Sequence, residues 1–186
     1  AGCSRTDTGV HALDFVATFP QIHKIPPESL KKGMNSLLPY DIRIIGVEER
    51  DGFVDGRALV AGKHYRYLIC LKNVMSPFAS DLCWHSSYDM DVSSMREGIK
   101  YFTGTHDFAG FMSTGSEVST TVRTIRKAEI TVKGDYMFID FAGDGFLKHQ
   151  VRIMSGTLAA VGRKRLKPDE IQQLIKACAR SLVPHT

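Results

Sequence analysis

Metal and disulfide frameworks are the first things this sequence lacks. Only four cysteines occur in 186 residues, Cys3, Cys70, Cys83 and Cys178, and none stand in a C-x-x-C spacing. The seven histidines supply no H-x-x-x-H pair. Both absences argue against a structural metal or a disulfide scaffold, and reduced thiols in a cytosolic protein fit the spacing instead. No apolar run approaches the ~20 residues that span a bilayer. No basic start followed by an apolar stretch and a small-residue cleavage site opens the chain. A cytoplasmic protein with no membrane partner is therefore expected. The phosphate cradles G-x-G-x-x-G and G-x-x-x-x-G-K-[ST] are also missing, as are repeats and low-complexity tracts.

What is present is an ordinary globular balance, with 43% hydrophobic and 24% charged residues. The length suffices for a real core, in one domain or two small lobes. A net charge of +4 leans mildly toward polyanions. The positive groups cluster at Lys63 to Arg66, at Arg123 with Arg126 and Lys127, and at Arg163, Lys164 and Arg165. Such clusters are either solvated faces or contacts for a nucleic-acid backbone.

Hydrophobic spacing predicts the elements. Leu13, Phe15, Ala17 and Phe19 alternate with Asp14, Val16 and Thr18, the pattern of a half-buried strand. Pro26, Pro27 and Glu28 start a helix carrying Leu30, Met34, Leu37 and Leu38, stopped by Pro39. Strands are predicted over 42–47, 54–60 and 65–71, the last rich in aromatic and branched residues. Asp91 caps a helix. Lys133, Gly134 and Asp135 join two strands in a hairpin, 121–132 and 136–141. Leu147, Val151, Met154, Leu158 and Val161 form a buried helical stripe within 146–162, and a last helix runs from Pro168 through Ala179. Antiparallel-looking strands with helices between them predict an α+β fold, a mainly antiparallel mixed sheet with helices packed on one side. Two lobes are expected, 1–75 and 76–186.

Three stretches stand apart chemically. They are Arg5-Thr6-Asp7-Thr8-Gly9-Val10-His11-Ala12, Lys63-His64-Tyr65-Arg66-Tyr67, and Phe146-Leu147-Lys148-His149-Gln150-Val151-Arg152. Together and in this order they resemble the tRNA pseudouridine synthase A (TruA) family. Its pattern is R-T-D-x-G-V-H-A on a loop, R-x-Y-R-Y on a central strand, and F-x-x-H-x-V-R entering a helix. Residues 53–57, 106–108 and 121–126 sit in the expected order as well. The second stretch departs slightly, with His64 where a basic residue is usual. The family also carries a strand, a helix and a loop before its R-T-D motif and a strand at its end. The resemblance therefore implies a pseudouridine synthase fold without its N- and C-terminal strands.

The resemblance implies a cofactor-free isomerase, with no metal, acting on uridines of the tRNA anticodon stem-loop. It implies a homodimer gripping one tRNA. Asp7 is then the catalytic residue, either adding to the anomeric carbon or removing a sugar proton; both routes stay open. Without the other motifs, Asp7 reads first as an aspartate bonding its own turn. Tyr65 shares a strand face with Tyr67 and opposes Arg66; it is placed to stack on an extruded base, while Tyr67 reads as core. Arg152 is expected beside Lys148 and Ser155 on one helix face, holding the Asp7 carboxylate ionised through a two-point bond beneath Tyr65. Arg5 and, more weakly, Arg57 are assigned to the flipped nucleotide. Lys63, Arg66, Arg123, Arg126, Arg163, Lys164 and Arg165 are assigned to RNA. His11 and His149 read as hydrogen-bonding scaffold, and Cys3 has no paired base in the sequence. The rival readings are a non-catalytic RNA-binding module with an antiparallel sheet, and a metal-free hydrolase using Asp7 and His11.

Overall fold

The computed structural model describes residues 1–115 and 118–184. The chain divides into two compact units, Ala1–Thr6 with Ala12–Val60, and Asp7–His11 with Ala61–Thr186. The lobe boundary expected at 75/76 falls inside the second unit. The strand expected to end the first lobe pairs along its whole length with a strand seventy residues later, and this pairing binds it to the second unit.

The first unit contains helix α1, Pro27–Leu37, begun by a proline whose missing N–H needs no partner there. It ends just before Pro39, which disfavours helical backbone in its predecessor. No residue of α1 is buried, and Leu37 is 87% exposed. Three predicted strands are absent from this unit. Over 13–19 only an isolated bridge, Gly2 to Ala17, forms, with the Cys3 amide donating to the Val16 carbonyl at 2.9 Å. Leu13 is fully exposed, because alternation becomes a strand only where a neighbouring strand accepts it. Residues 42–47 form no ladder. Asn35 takes the place of a neighbour: its side chain accepts from the Ile44 amide at 2.8 Å and donates to the Ile44 carbonyl at 3.0 Å. Over 54–60 a 3₁₀ turn, Gly56–Leu59, replaces the strand, because Asp55 accepts the Arg57 amide at 2.9 Å.

In the second unit the strands are β1 (Lys63–Cys70), β2 (Trp84–His85), β3 (Gly104–Asp107), β4 (Val122–Lys133) and β5 (Tyr136–Gly143). Among the described residues they form one sheet in the order β2-β1-β5-β4-β3. Only β1 and β2 are parallel, so the sheet is mixed and mainly antiparallel. The β4–β5 hairpin turns at Gly134, whose φ of 56° is the left-handed geometry that a two-residue hairpin loop requires. A bulge at Arg126 lies between Ile125 and Lys127.

Three helices complete this unit: α2 (Val92–Gly98), α3 (Gln150–Gly162) and α4 (Glu170–Ala177). Asp91 caps α2 by accepting the Ser94 amide at 3.0 Å, as its position predicted. The core joins one sheet face, with Ile69, Met137, Ile139 and Phe141, to Met154 and Leu158 of α3 and Met95 of α2. Each such side chain stabilises the fold by about 1.5–3 kcal/mol. Gly162 lets α3 approach α2, since a Cβ there would stand 2.6 Å from the Met95 sulfur. The structure is thus α+β with a mixed sheet, as the sequence predicts. Among the described residues no helix is long and apolar enough to cross a membrane.

Candidate active site

Asp7 sits at the first corner of a tight turn. The Val10 amide donates to the Asp7 carbonyl at 3.1 Å, and Gly9 has a φ of 77°. A Cβ at Gly9 would meet nothing within 4 Å, so backbone conformation rather than space calls for glycine. His11 follows, its Nε2 3.2 Å from the Asp81 carbonyl oxygen, a scaffold contact.

Helix α3 supplies the groups opposite this turn. It begins at Gln150 rather than at 146, because His149 takes the left-handed conformation at φ 60° and breaks the helical path. Gln150 closes the entry, its side-chain oxygen accepting the Leu147 amide at 2.7 Å. Lys148 therefore lies outside the helix and Ser155 is buried, so neither flanks Arg152 on an open face as expected. Arg152 does reach Asp7: its Nε lies 3.7 Å from Oδ2. The expected two-point fork on the carboxylate is not formed, because Arg152 Nη2 donates to the Thr8 carbonyl at 3.3 Å. One guanidinium thus braces both the carboxylate and its turn.

His149 contributes a contact that sequence reasoning missed. Its Nε2 lies 3.3 Å from the same Oδ2 of Asp7. The shortest approach of both groups is to the same oxygen, Oδ2. Helical spacing could not have shown it, because His149 lies outside α3 in the left-handed region. The Asp7 side chain keeps 39% of its exposure, so the carboxylate is open to a reactant.

Tyr65 and Tyr67 lie on the β1 face that bears Ile69 and meets the core. Tyr65 is half-buried and stands edge-on to Phe146, with ring centroids 5.2 Å apart at 81°. Burial pushes the Tyr67 hydroxyl up from its ordinary pKa, and the nearby Arg152 charge works against that rise. Arg152 therefore lies close to the pleat next to Tyr65.

The basic residues divide. Arg66 lies on the opposite face of β1 and is occupied by the buried Asp140, with Nε 2.9 Å from Oδ1 and Nη2 3.2 Å from Oδ2. Its guanidinium also lies 5.1 Å from the centre of the Phe138 ring. Its geometry is that of a clamp between β1 and β5. Lys63 begins β1 on the Tyr65 face. Arg123 donates to the carbonyls of Thr120 and Val122, and Arg126 to those of Ala61 and Gly143. Arg163 lies 3.6 Å over the Tyr88 ring, and Arg165 lines a groove with Trp84 and Ala160. Lys164 has a φ of 57° past the end of α3.

Arg5 and Arg57 belong to the first unit. Arg57 pairs with Asp55 at 2.6 Å, and its side-chain and backbone hydrogen bonds lower the Asp55 carboxyl to about 2. Arg5 is exposed. Cys3 is buried. Among the described residues no three His, Cys, Asp or Glu side chains gather in a metal-ligand arrangement.

Asp7 is thus a half-exposed carboxylate with an imidazole and a guanidinium beside it. Comparison with known proteins gives the family. A family model described as tRNA pseudouridine synthase matches residues 99–185. A tRNA pseudouridine synthase A of Thermoanaerobacter sp. (strain X514) is 38% identical, over 97% of this chain and 74% of that protein. One from Acetivibrio thermocellus is 40% identical over 100% of this chain and 76% of its own length. A tRNA pseudouridine synthase A 2 of Clostridium tetani is 41% identical over 95% and 71%. The chain belongs to the tRNA pseudouridine synthase A family, a family of isomerases.

Proposed function

We propose that this protein isomerises uridine to pseudouridine in the anticodon stem-loop of tRNA, with Asp7 as the catalytic residue and no cofactor. The observation that supports this most is the half-exposed Asp7 carboxylate, with His149 Nε2 3.3 Å and Arg152 Nε 3.7 Å from its Oδ2.

The reaction breaks the N1–C1′ bond of uridine, turns the base, and forms C5–C1′. C5 loses a proton and N1 gains one, so the product is an isomer and no oxidant or second substrate is consumed. The Asp7 carboxylate either bonds C1′ and later leaves, or takes a sugar proton and returns it. In both routes the carboxylate acts in its ionised form. A base taken out of its stack needs an aromatic face to replace what it lost, and Tyr65 offers one at the edge of Phe146. Arg5 and Arg57 are assigned to the nucleotide's backbone. Lys63, Arg123, Arg126, Arg163, Lys164 and Arg165 are assigned to the wider tRNA backbone, since guanidiniums with one nitrogen occupied still have donors to offer. The active form is a homodimer in the cytoplasm.

The test is carbodiimide mapping of pseudouridine in tRNA incubated with the protein and with Asp7→Asn. Product confined to the anticodon stem-loop, and lost in Asp7→Asn, supports the reading. tRNA binding without product would leave only a non-catalytic RNA-binding module.

A further inference from the structure

Ser113 plays no part in the motifs above, yet the structure ties it to the site twice. It follows a 3₁₀ turn, Ala109–Phe111, that packs into the core. Its amide donates to the Lys148 carbonyl at 3.1 Å, and its hydroxyl lies 2.7 Å from His149 Nδ1. The two contacts bracket His149, a non-glycine residue in the left-handed region. That conformation costs roughly 1–2 kcal/mol and persists only where neighbours hold it.

The chemistry of these contacts selects a proton position. A carboxylate accepts and cannot donate, so Asp7 Oδ2, 3.3 Å away though outside hydrogen-bond geometry, favours a hydrogen on the facing Nε2. In the neutral ring Nδ1 is then an acceptor, and the Ser113 hydroxyl is the donor beside it. Without that hydroxyl Nδ1 has no donor beside it, and the preference for the Nε2–H tautomer weakens to what Asp7 alone supplies.

We infer that Ser113 is a positioning residue acting through His149. It holds the imidazole as the Nε2–H tautomer, facing Asp7 Oδ2, so that the carboxylate meets the substrate in one orientation. The inference rests on the reading of Asp7 as the reacting group. The chain of contacts runs Ser113 Oγ, His149 Nδ1, His149 Nε2, Asp7 Oδ2, over distances of 2.7 and 3.3 Å. The longer second contact fits a site without substrate, where catalytic contacts are commonly loose.

Two measurements test it. In the first, nitrogen-15 NMR of histidine-labelled protein, with His149 assigned by its loss in His149→Gln, needs no turnover. A single neutral Nε2–H tautomer that becomes a mixture in Ser113→Ala, and is restored in Ser113→Thr, is the expected result. A doubly protonated ring in the wild type, or a tautomer unchanged in Ser113→Ala, overturns the inference. In the second, Ser113→Ala lowers kcat on tRNA on the order of 10- to 100-fold, as small misplacements of a reacting group do. KM stays within about twofold, and Ser113→Thr recovers most of kcat. Equal kcat in wild type and Ser113→Ala overturns the positioning role. So does a Ser113→Thr variant as slow as Ser113→Ala. If Asp7→Asn keeps its activity, the reading of Asp7 fails instead, and the NMR result still decides whether Ser113 sets the tautomer.

Discussion

Arg66 and Asp140 stand opposite each other in register on β1 and β5 and are joined by two hydrogen bonds, at 2.9 and 3.2 Å. The Asp140 side chain is 3% exposed, and His64 Nε2 approaches the same oxygen at 2.7 Å. A buried carboxylate is tolerable only with such partners. On the reverse of the same strand stands Tyr65, so this clamp supports the register that places Tyr65 opposite Phe141 and beside Phe146.

Removing the partner should therefore hurt more than removing the carboxylate. Arg66→Met strands the buried Asp140 charge and should cost about 2 kcal/mol, discounted for the half-exposed guanidinium and the remaining His64. Asp140→Ala should cost less, because the cations can turn to water. The double variant should be more stable than the sum of the single losses implies. Urea unfolding of the three variants measures this, and additive losses would remove the clamp.

Arg152 is predicted to act through charge and through the turn it braces. Arg152→Met should lower kcat by roughly 100-fold or more, with tRNA affinity only modestly weakened. Arg152→Lys keeps the charge but cannot serve both Asp7 and Thr8, so it should retain part of the activity. Asp7→Asn should be inactive with affinity intact. Asp7→Glu should be nearly inactive, since one methylene moves the carboxylate by about 1 Å or more. Single-turnover kinetics with a separate binding measurement resolves these effects, and equal rates for the lysine and methionine variants would exclude the electrostatic role.

The basic residues make a salt-dependent prediction. Reversing charge at Arg163, Lys164 and Arg165 should lower the slope of log affinity against log salt by about one per lost phosphate contact. Arg66→Met should leave that slope unchanged, because its guanidinium is engaged with Asp140. Filter binding over a salt series distinguishes the two, and a slope unaltered by the triple reversal would take that cluster out of the tRNA surface.

Asp55 gives a pH window. Its carboxyl is lowered from 3.8 to about 2 by the side-chain and then the backbone hydrogen bonds of Arg57. A folded value below the unfolded one means stabilisation fully present above about 4, fading as pH falls through about 2. The Arg57 amide resonance should therefore titrate with a midpoint near 2. In Arg57→Met the midpoint should rise toward 3.8, while the backbone bond keeps part of the shift. A wild-type midpoint at 3.8 would show that the capped 3₁₀ turn does not form in solution.

Local chemistry was enough for the parts of this protein that close on themselves. Asp91 as a cap, Gly134 in its hairpin, Pro27 opening α1 and the apolar stripe of α3 act over a few residues, so their outcome is written where they stand. The ordered motifs likewise marked Asp7, Tyr65 and Arg152 before any contact was visible. Non-local partners decided the rest. The alternation over 13–19 and the branched run 42–47 lack a ladder, and strand pairing belongs to two segments rather than one. Arg66 reads from its neighbours as a phosphate contact, yet Asp140, 74 positions away, engages it. Ser113 carries no signal of its own, since a serine in a polar loop is commonplace. Only the packing of the 109–111 turn brings its hydroxyl to His149. Hydrogen bonds and ion pairs act over about 3–4 Å of space with no memory of sequence separation. The residues that aim Asp7 were therefore settled by tertiary structure.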